Sequence, residues 1–176
     1  MDFPWYENIS LNNSLEQGDF IQNCPIVIPP IQFDSTEEIR VDVKLIDSIV
    51  LSQSCDLSNG KIELVLVSPY FTLKSFLDQI LNGNDSQKAK RNLIDNLKKG
   101  QIHSYHLLNK TSQNEDYIVV DFRNVYGVQF EMLKQLALTF ENRTRLLSPY
   151  REHLSQSFAR YFMRVGLPQD LVIEGY

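Results

Sequence analysis

Little in this sequence points outward to chemistry. It has no excess of basic charge: 22 Asp and Glu stand against 17 Lys and Arg, for a formal charge of −5 and a pI near 5.2. Broad non-specific nucleic-acid binding is therefore disfavoured, because it draws its affinity from Lys and Arg neutralising phosphates, although a local basic patch can sit on an acidic protein. There are two cysteines, Cys24 and Cys55, too few for a disulfide framework. No apolar run approaches the ~20 residues that cross a bilayer, and the opening MDFPWYENIS has neither the basic nor the apolar part of a signal peptide. The expectation is a cytoplasmic chain without membrane association. Phosphate-loop, Rossmann, H-E-x-x-H, EF-hand and G-x-S-x-G signatures are all missing, as are internal repeats and low-complexity tracts.

What is present is an ordinary globular pattern. The 176 residues are 43% apolar and 22% charged, which fits one domain able to bury a core without staples. The expected fold is α+β: a small, mainly antiparallel β-barrel or curled sheet, with a helical insertion and a closing amphipathic helix. Residues 1–16 read as an irregular lead-in and 17–176 as the domain. A short strand opens at Gly18-Asp19 and covers 20–23. The apolar Ile26-Val27-Ile28 follows and stops at Pro29-Pro30. Over 39–45, Ile39, Val41, Val43 and Leu45 alternate with Arg40, Asp42 and Lys44, which predicts a strand with one buried and one wet face. Residues 48–53 continue as a more buried strand, 56–60 have turn chemistry, and 61–70 complete a hairpin.

The period then becomes helical. Thr72 caps a helix through Leu73, Phe76, Leu77, Ile80 and Leu81, and a mostly polar, Lys-rich second helix runs to Lys99. The pair, residues 72–99, forms the insertion. Strands are expected at 102–108, 117–123 and 125–130, and a short helix at 132–137. In the last helix, 149–165, Ser148 caps, Pro149 opens, and Tyr150, Leu154, Phe158, Tyr161, Phe162 and Val165 make one apolar stripe. That stripe is expected to lie on the ribbon around Val41, with Phe158 and Phe162 contributing roughly 1.5–3 kcal/mol each on burial.

Gly18-Asp19-Phe20-Ile21 opening one strand, Ile49-Val50-Leu51-Ser52 ending another, the turn through Asn59 and the run from Leu64 to Pro69 together resemble MazF/PemK-type small barrel proteins over residues 17–72. The resemblance implies an SH3-like barrel and, for many members, a toxin that cleaves RNA. Cleavage of that kind needs a base for the ribose 2′-hydroxyl and a cation for the phosphate, and Arg40, Thr72 and His106 are the candidates here. The segments LSQSCDL and RLLSPYREHLSQSFARYFMRVGLP resemble those of an uncharacterised bacterial protein family, which implies a bacterial setting.

Three side-chain groups carry possible chemistry. Cys24, Cys55, His103 and His106 are of the types that hold tetrahedral zinc. The two cysteines lie 31 residues apart rather than in a knuckle, and three-apart histidines on a strand point to opposite faces. The ordinary reading is a buried thiol and sheet histidines. Cys55-Asp56 has the composition of a nucleophilic site, against a bland reading in which Asp56 starts a turn and Cys55 packs inward. On the last helix His153, Ser157, Arg160 and Arg164 fall in one row able to bind an anion or a partner's carboxylates. Arg143 and Arg145 are candidates to join that row.

The leading reading is a non-catalytic interaction module of a bacterial stress or defence system, binding a protein partner or a nucleotide-type anion and needing no cofactor. A MazF/PemK-like endoribonuclease toxin and a Cys/His zinc protein stay open beside it. Nucleic acid is a possible partner, and oligomeric state is left open.

Overall fold

The computed structural model describes residues 3–31, 40–83, 86–111 and 115–163. In chain order these form β1 (Tyr6–Ser10), β2 (Phe20–Ile28), β3 (Asp42–Val50), α1 (Ser54–Ser58), β4 (Leu64–Thr72), α2 (Leu73–Leu81), α3 (Gln87–Lys98), β5 (Tyr105–Leu108), β6 (Ile118–Asp121), β7 (Tyr126–Gln129), α4 (Phe130–Ala137), β8 (Asn142–Leu146) and α5 (Tyr150–Phe162). The α+β class and the two inserted helices agree with the sequence. The expected cap is in place: the Ser75 N–H donates to Thr72 Oγ1 at 3.1 Å, satisfying one of the free donors of α2's first turn. Asn82, at φ +44°, closes α2 in the left-handed region that Asn tolerates.

All pairings among the described residues are antiparallel. The main sheet runs β2-β3-β4-β6-β5, with β7 also on β4, while β1 and β8 make a separate two-stranded sheet. The path ends at β2 and β5 without closing, so the sheets form no barrel among the described residues, contrary to one expectation. Strands β6 and β7 pair with successive stretches of β4. Tyr70 faces Val120 and Val67 faces Tyr126, so three steps on β4 are matched by six opposite. The excess is taken up at Asp121–Asn124. There Asp121 Oδ1 accepts the Arg123 N–H at 2.9 Å, Oδ2 accepts from Asn124 Nδ2 at 3.0 Å, and the Ser68 hydroxyl donates to the Asp121 carbonyl at 2.7 Å.

Three apolar clusters result among the described residues. One, around Ile21, Cys24, Ile26, Val50, Val65 and Val67, is covered by Leu133 and Ala137 of α4. A second, with Ile49, Leu108, Val120 and Phe122, is covered by Leu154, Tyr150 and Phe158 of α5. The third, with Val119, lies under Leu73 and Phe76 of α2 and Leu97 of α3.

Several expectations are corrected. The lead-in contains β1, registered on β8 from Tyr6↔Leu146 to Ser10↔Asn142. β3 runs from 42 to 50 rather than over 39–45, and Ile39 lies outside the described residues. Its alternation is real, but the row containing Val41, Val43 and Leu45 is the exposed one, at 47%, 56% and 65%. Alternation says that two faces differ and does not say which one meets the core. Here the row of Ile46, Ser48 and Val50 does so, through Cys24 opposite Ile46. The final helix therefore does not lie on the Val41 ribbon but on the Phe122 cluster. Phe162 is 60% exposed and contributes little burial, Pro149 is the cap residue rather than the first helical one, and Val165 lies outside the described residues.

Candidate functional site

The least ordinary arrangement in the molecule is a buried set of charges where the two sheets meet. Gly18 sits at φ +85°, and an added Cβ would lie 3.0 Å from Leu146 Cβ. Only glycine allows this turn and this approach without strain. It lets residues 18 and 19 bond to both sheets: the Gly18 N–H donates to the Val50 carbonyl at 2.9 Å, the Val50 N–H to the Asp19 carbonyl at 3.0 Å, and the Leu146 N–H to the Gly18 carbonyl at 3.0 Å. The Asp19 carboxylate then faces β8, where period two sends Arg143 and Arg145 to the same side.

Asp19 is fully buried, with Arg143 at 2% and Arg145 at 5% exposure. Arg145 donates from Nε and Nη2 to the two Asp19 oxygens, from Nη2 to the Ser14 carbonyl at 2.6 Å, and pairs through Nη1 with Glu16 at 2.9 Å. Burial opposes the Arg145 charge, but the hydrogen bond and charge of Asp19 outweigh it and raise the pKa above the usual arginine value. Arg143 donates from Nη2 to the Asn13 carbonyl at 2.9 Å and from Nη1 to the Ala137 carbonyl at 3.3 Å, and its Nε has no partner among the described residues. Arg151 reaches Glu16 at 3.3 Å. Gln17 ties in the loop after β3, donating from Nε2 to the Leu51 carbonyl at 2.7 Å and from its N–H to Ser54 Oγ at 3.1 Å. Three donors converge on Asp19 Oδ2 and one on Oδ1, so the cluster works as a clamp that joins residues 13–19, the Leu51–Ser54 turn and β8.

Two clefts flank β8. The larger, about 870 Å³, lies between residues 11–15, the turn at Ser58–Ile62 and α4. The guanidinium of Arg143 belongs to this side, since Asn13, Ser14 and Ala137, whose carbonyls it holds, line it. Lys134 on its rim pairs with Glu131 and lies over the Phe130 ring at 4.7 Å. The smaller, about 360 Å³, is walled by Phe20, Tyr70, Phe71 and Phe140, with Gln22, Asp47, Thr72, Asn142 and Thr144 as polar neighbours.

The residues singled out from sequence are scattered. On α5, His153 and Arg160 are exposed and Ser157 is half-buried, while Arg164 lies outside the described residues. Arg143 and Arg145 do not join that row: each is locked to Asp19. Cys24 is in the core, its thiol pushed up to about 11 by burial, while Cys55 is exposed on the one-turn helix α1, not packed inward as expected. His103 lies in the turn before β5 and His106 on β5. His106 is lowered to about 4, first by burial and then by the charge of the neighbouring His153. No three His, Cys, Asp or Glu side chains converge into a metal-binding group among the described residues. Of the cleavage candidates, Thr72 lines the smaller cleft while Arg40 and His106 line neither.

Sequence reasoning missed β8 and with it the Asp19–Arg145 pair. The available signal was period two in Arg143-Thr144-Arg145-Leu146, a charged row that reads as solvated unless a buried carboxylate is known to face it. A scan against models of known protein families and a search of the curated proteins return no match to this chain. Fold and geometry define its class: an α+β protein of open antiparallel sheets, in which no described helix is long and apolar enough to cross a membrane.

Proposed function

We propose that this chain is a non-catalytic interaction module that takes a protein partner on the outer part of the β2–β3 hairpin. One observation carries the reading. Val27 at 58%, Val43 at 56% and Leu45 at 65% exposure lie on one face of the outer β2–β3 pairing, in a register that sets Val27 against Val43 and Pro25 against Leu45. A contiguous exposed apolar face on an ordered element marks an interaction surface, whereas single exposed apolar residues do not. β2 also ends the strand order. Beyond the Asp19–Arg145 bridge its outer edge pairs with no strand among the described residues. The matching occupant is an extended segment with alternating apolar residues, which adds to β2 by main-chain hydrogen bonds and covers Val27 and Val43 with its side chains. The bacterial stress or defence setting is supplied by the sequence resemblance. The test is recovery of partners on tagged chain in the source cell, comparing Leu45→Glu with Lys74→Glu on α2 as a control. The reading requires loss of the specific partner with Leu45→Glu alone, and equal recovery with both variants refutes it.

A second reading, the MazF/PemK-like endoribonuclease, is favoured by one observation: Thr72 shares a cleft with Asp47 and Tyr70. Its hydroxyl is already engaged as the cap of α2. Incubation with mixed-sequence RNA at excess protein tests it, and intact RNA ends it.

A further inference from the structure

We infer that the smaller cleft binds a guanine-type base, a flat ring that presents two adjacent N–H donors beside a carbonyl, through the face of Tyr70 and the carboxylate of Asp47. The inference rests on neither reading above.

Three features of the cleft converge. First, its size and walls suit a flat ring. A volume of about 360 Å³ is at the small end of ligand pockets. Tyr70 is held in place edge-on by Phe20, with centroids 5.0 Å apart at 71°, so its ring is preorganised for stacking, which every base accepts. Second, the rim is built by a backbone irregularity. Between Ile21↔Ser48 and Cys24↔Ile46 the β2–β3 register takes three steps against two, a bulge that carries Asn23 at φ +50°. Bulges of this kind re-aim side chains at strand ends, and this one brings Gln22 into the cleft lining. Third, the bulge fixes a carboxylate. The Asn23 N–H donates to Asp47 Oδ1 at 2.9 Å, leaving Oδ2 and the remaining lone pair of Oδ1 to accept. Burial, and after it the Asp47 carboxylate, keep the Tyr70 hydroxyl protonated, so it is a donor beside an acceptor.

The polarity selects the base. A carboxylate accepts two neighbouring N–H groups, and a phenol or the Gln22 amide donates to a carbonyl. Guanine offers that set on one edge, whereas adenine offers one amino group and no carbonyl. The cation in the described lining, Arg143, has its guanidinium buried and committed to Asp19 and to the Asn13 and Ala137 carbonyls, so no described side chain of the cleft is arranged for phosphate. The sugar and phosphate therefore stay outside, and free nucleoside and a base within a single strand are recognised alike.

The test is titration of the whole chain with guanosine, guanosine monophosphate, adenosine monophosphate, inorganic phosphate and a guanine-bearing short RNA, read by calorimetry. The two guanine monomers are expected to bind equally and about tenfold more tightly than the adenine nucleotide, with no heat from phosphate. Tighter binding of the RNA than of guanosine assigns the source to a strand, and equal binding assigns it to the free nucleoside. Asp47→Asn retains the oxygen that accepts from Asn23 and lies at an exposed position, so the fold is kept. It is expected to bring the guanine-to-adenine ratio close to one. Tyr70→Ala is expected to abolish binding of both bases. Absence of guanosine binding at millimolar concentration, or an unchanged ratio in Asp47→Asn, overturns the proposal.

Discussion

Replacing Asp19 with alanine removes the acceptor for Arg145 Nε and Nη2, for Arg143 Nη2 and for the Glu16 N–H together. Two guanidiniums, at 5% and 2% exposure, are left with Glu16 and main-chain carbonyls as their only partners. Breaking one side of a buried pair costs about 3–5 kcal/mol, because the surviving charge stays desolvated. That is a large part of the roughly 5–15 kcal/mol that holds a domain folded. Asp19→Asn keeps one oxygen acceptor and loses the charge, so its cost should be intermediate. The surface pair Glu131–Lys134 supplies the control, since Glu131→Ala should change stability by less than about 0.5 kcal/mol. Urea unfolding followed by circular dichroism measures all three. Asp19→Ala and Arg145→Ala should also be strongly non-additive, because the double variant leaves one fewer orphaned charge. A loss below about 1 kcal/mol for Asp19→Ala would refute the clamp.

Three more outcomes follow from single positions. Gly18→Ala should cost about 1–3 kcal/mol, from the left-handed backbone and the 3.0 Å approach to Leu146 Cβ, whereas Gly60→Ala, with open space around its Cβ, should cost about 1 kcal/mol in the same unfolding assay. His106 titrates near 4 when folded and near 6.5 when unfolded. The unfolded chain therefore takes up its proton first, so the contribution is complete above pH 6.5 and is lost as pH falls towards 4. The span corresponds to about 3 kcal/mol, and His106→Gln should flatten the stability profile in that window by a comparable amount; an unchanged profile would contradict the burial argument. A thiol reagent should modify Cys55 at once and Cys24 only on unfolding, since Cys55 is exposed and Cys24 buried; rapid modification of both would contradict the placement of Cys24 in the core.

Local signals were legible in the sequence, and partnership between distant segments was not. The Thr72 cap, the two inserted helices and the Leu154–Phe158 stripe depend on neighbours a few residues away, and each is found. Which face of β3 is covered depends on where β2 and α4 come to lie, so the Val41–Val43–Leu45 row could be recognised as apolar but not as exposed. Arg143 and Arg145 were candidates for the row on the last helix because Asp19, more than a hundred residues earlier, was not known to be opposite them. The smaller cleft was invisible for the same reason: Gln22, Asp47, Tyr70 and Thr144 come from four strands, and the bulge at Asn23 leaves no mark beyond a residue tolerant of positive φ.

The most direct measurement for the proposed function is photo-crosslinking in the source cell from a benzophenone side chain at position 43, with position 74 on α2 as the comparison. A discrete adduct with another protein at 43, absent at 74, is the predicted result. No adduct at 43, or an adduct only with a second copy of this chain, would contradict the assignment of the hairpin face to a foreign partner.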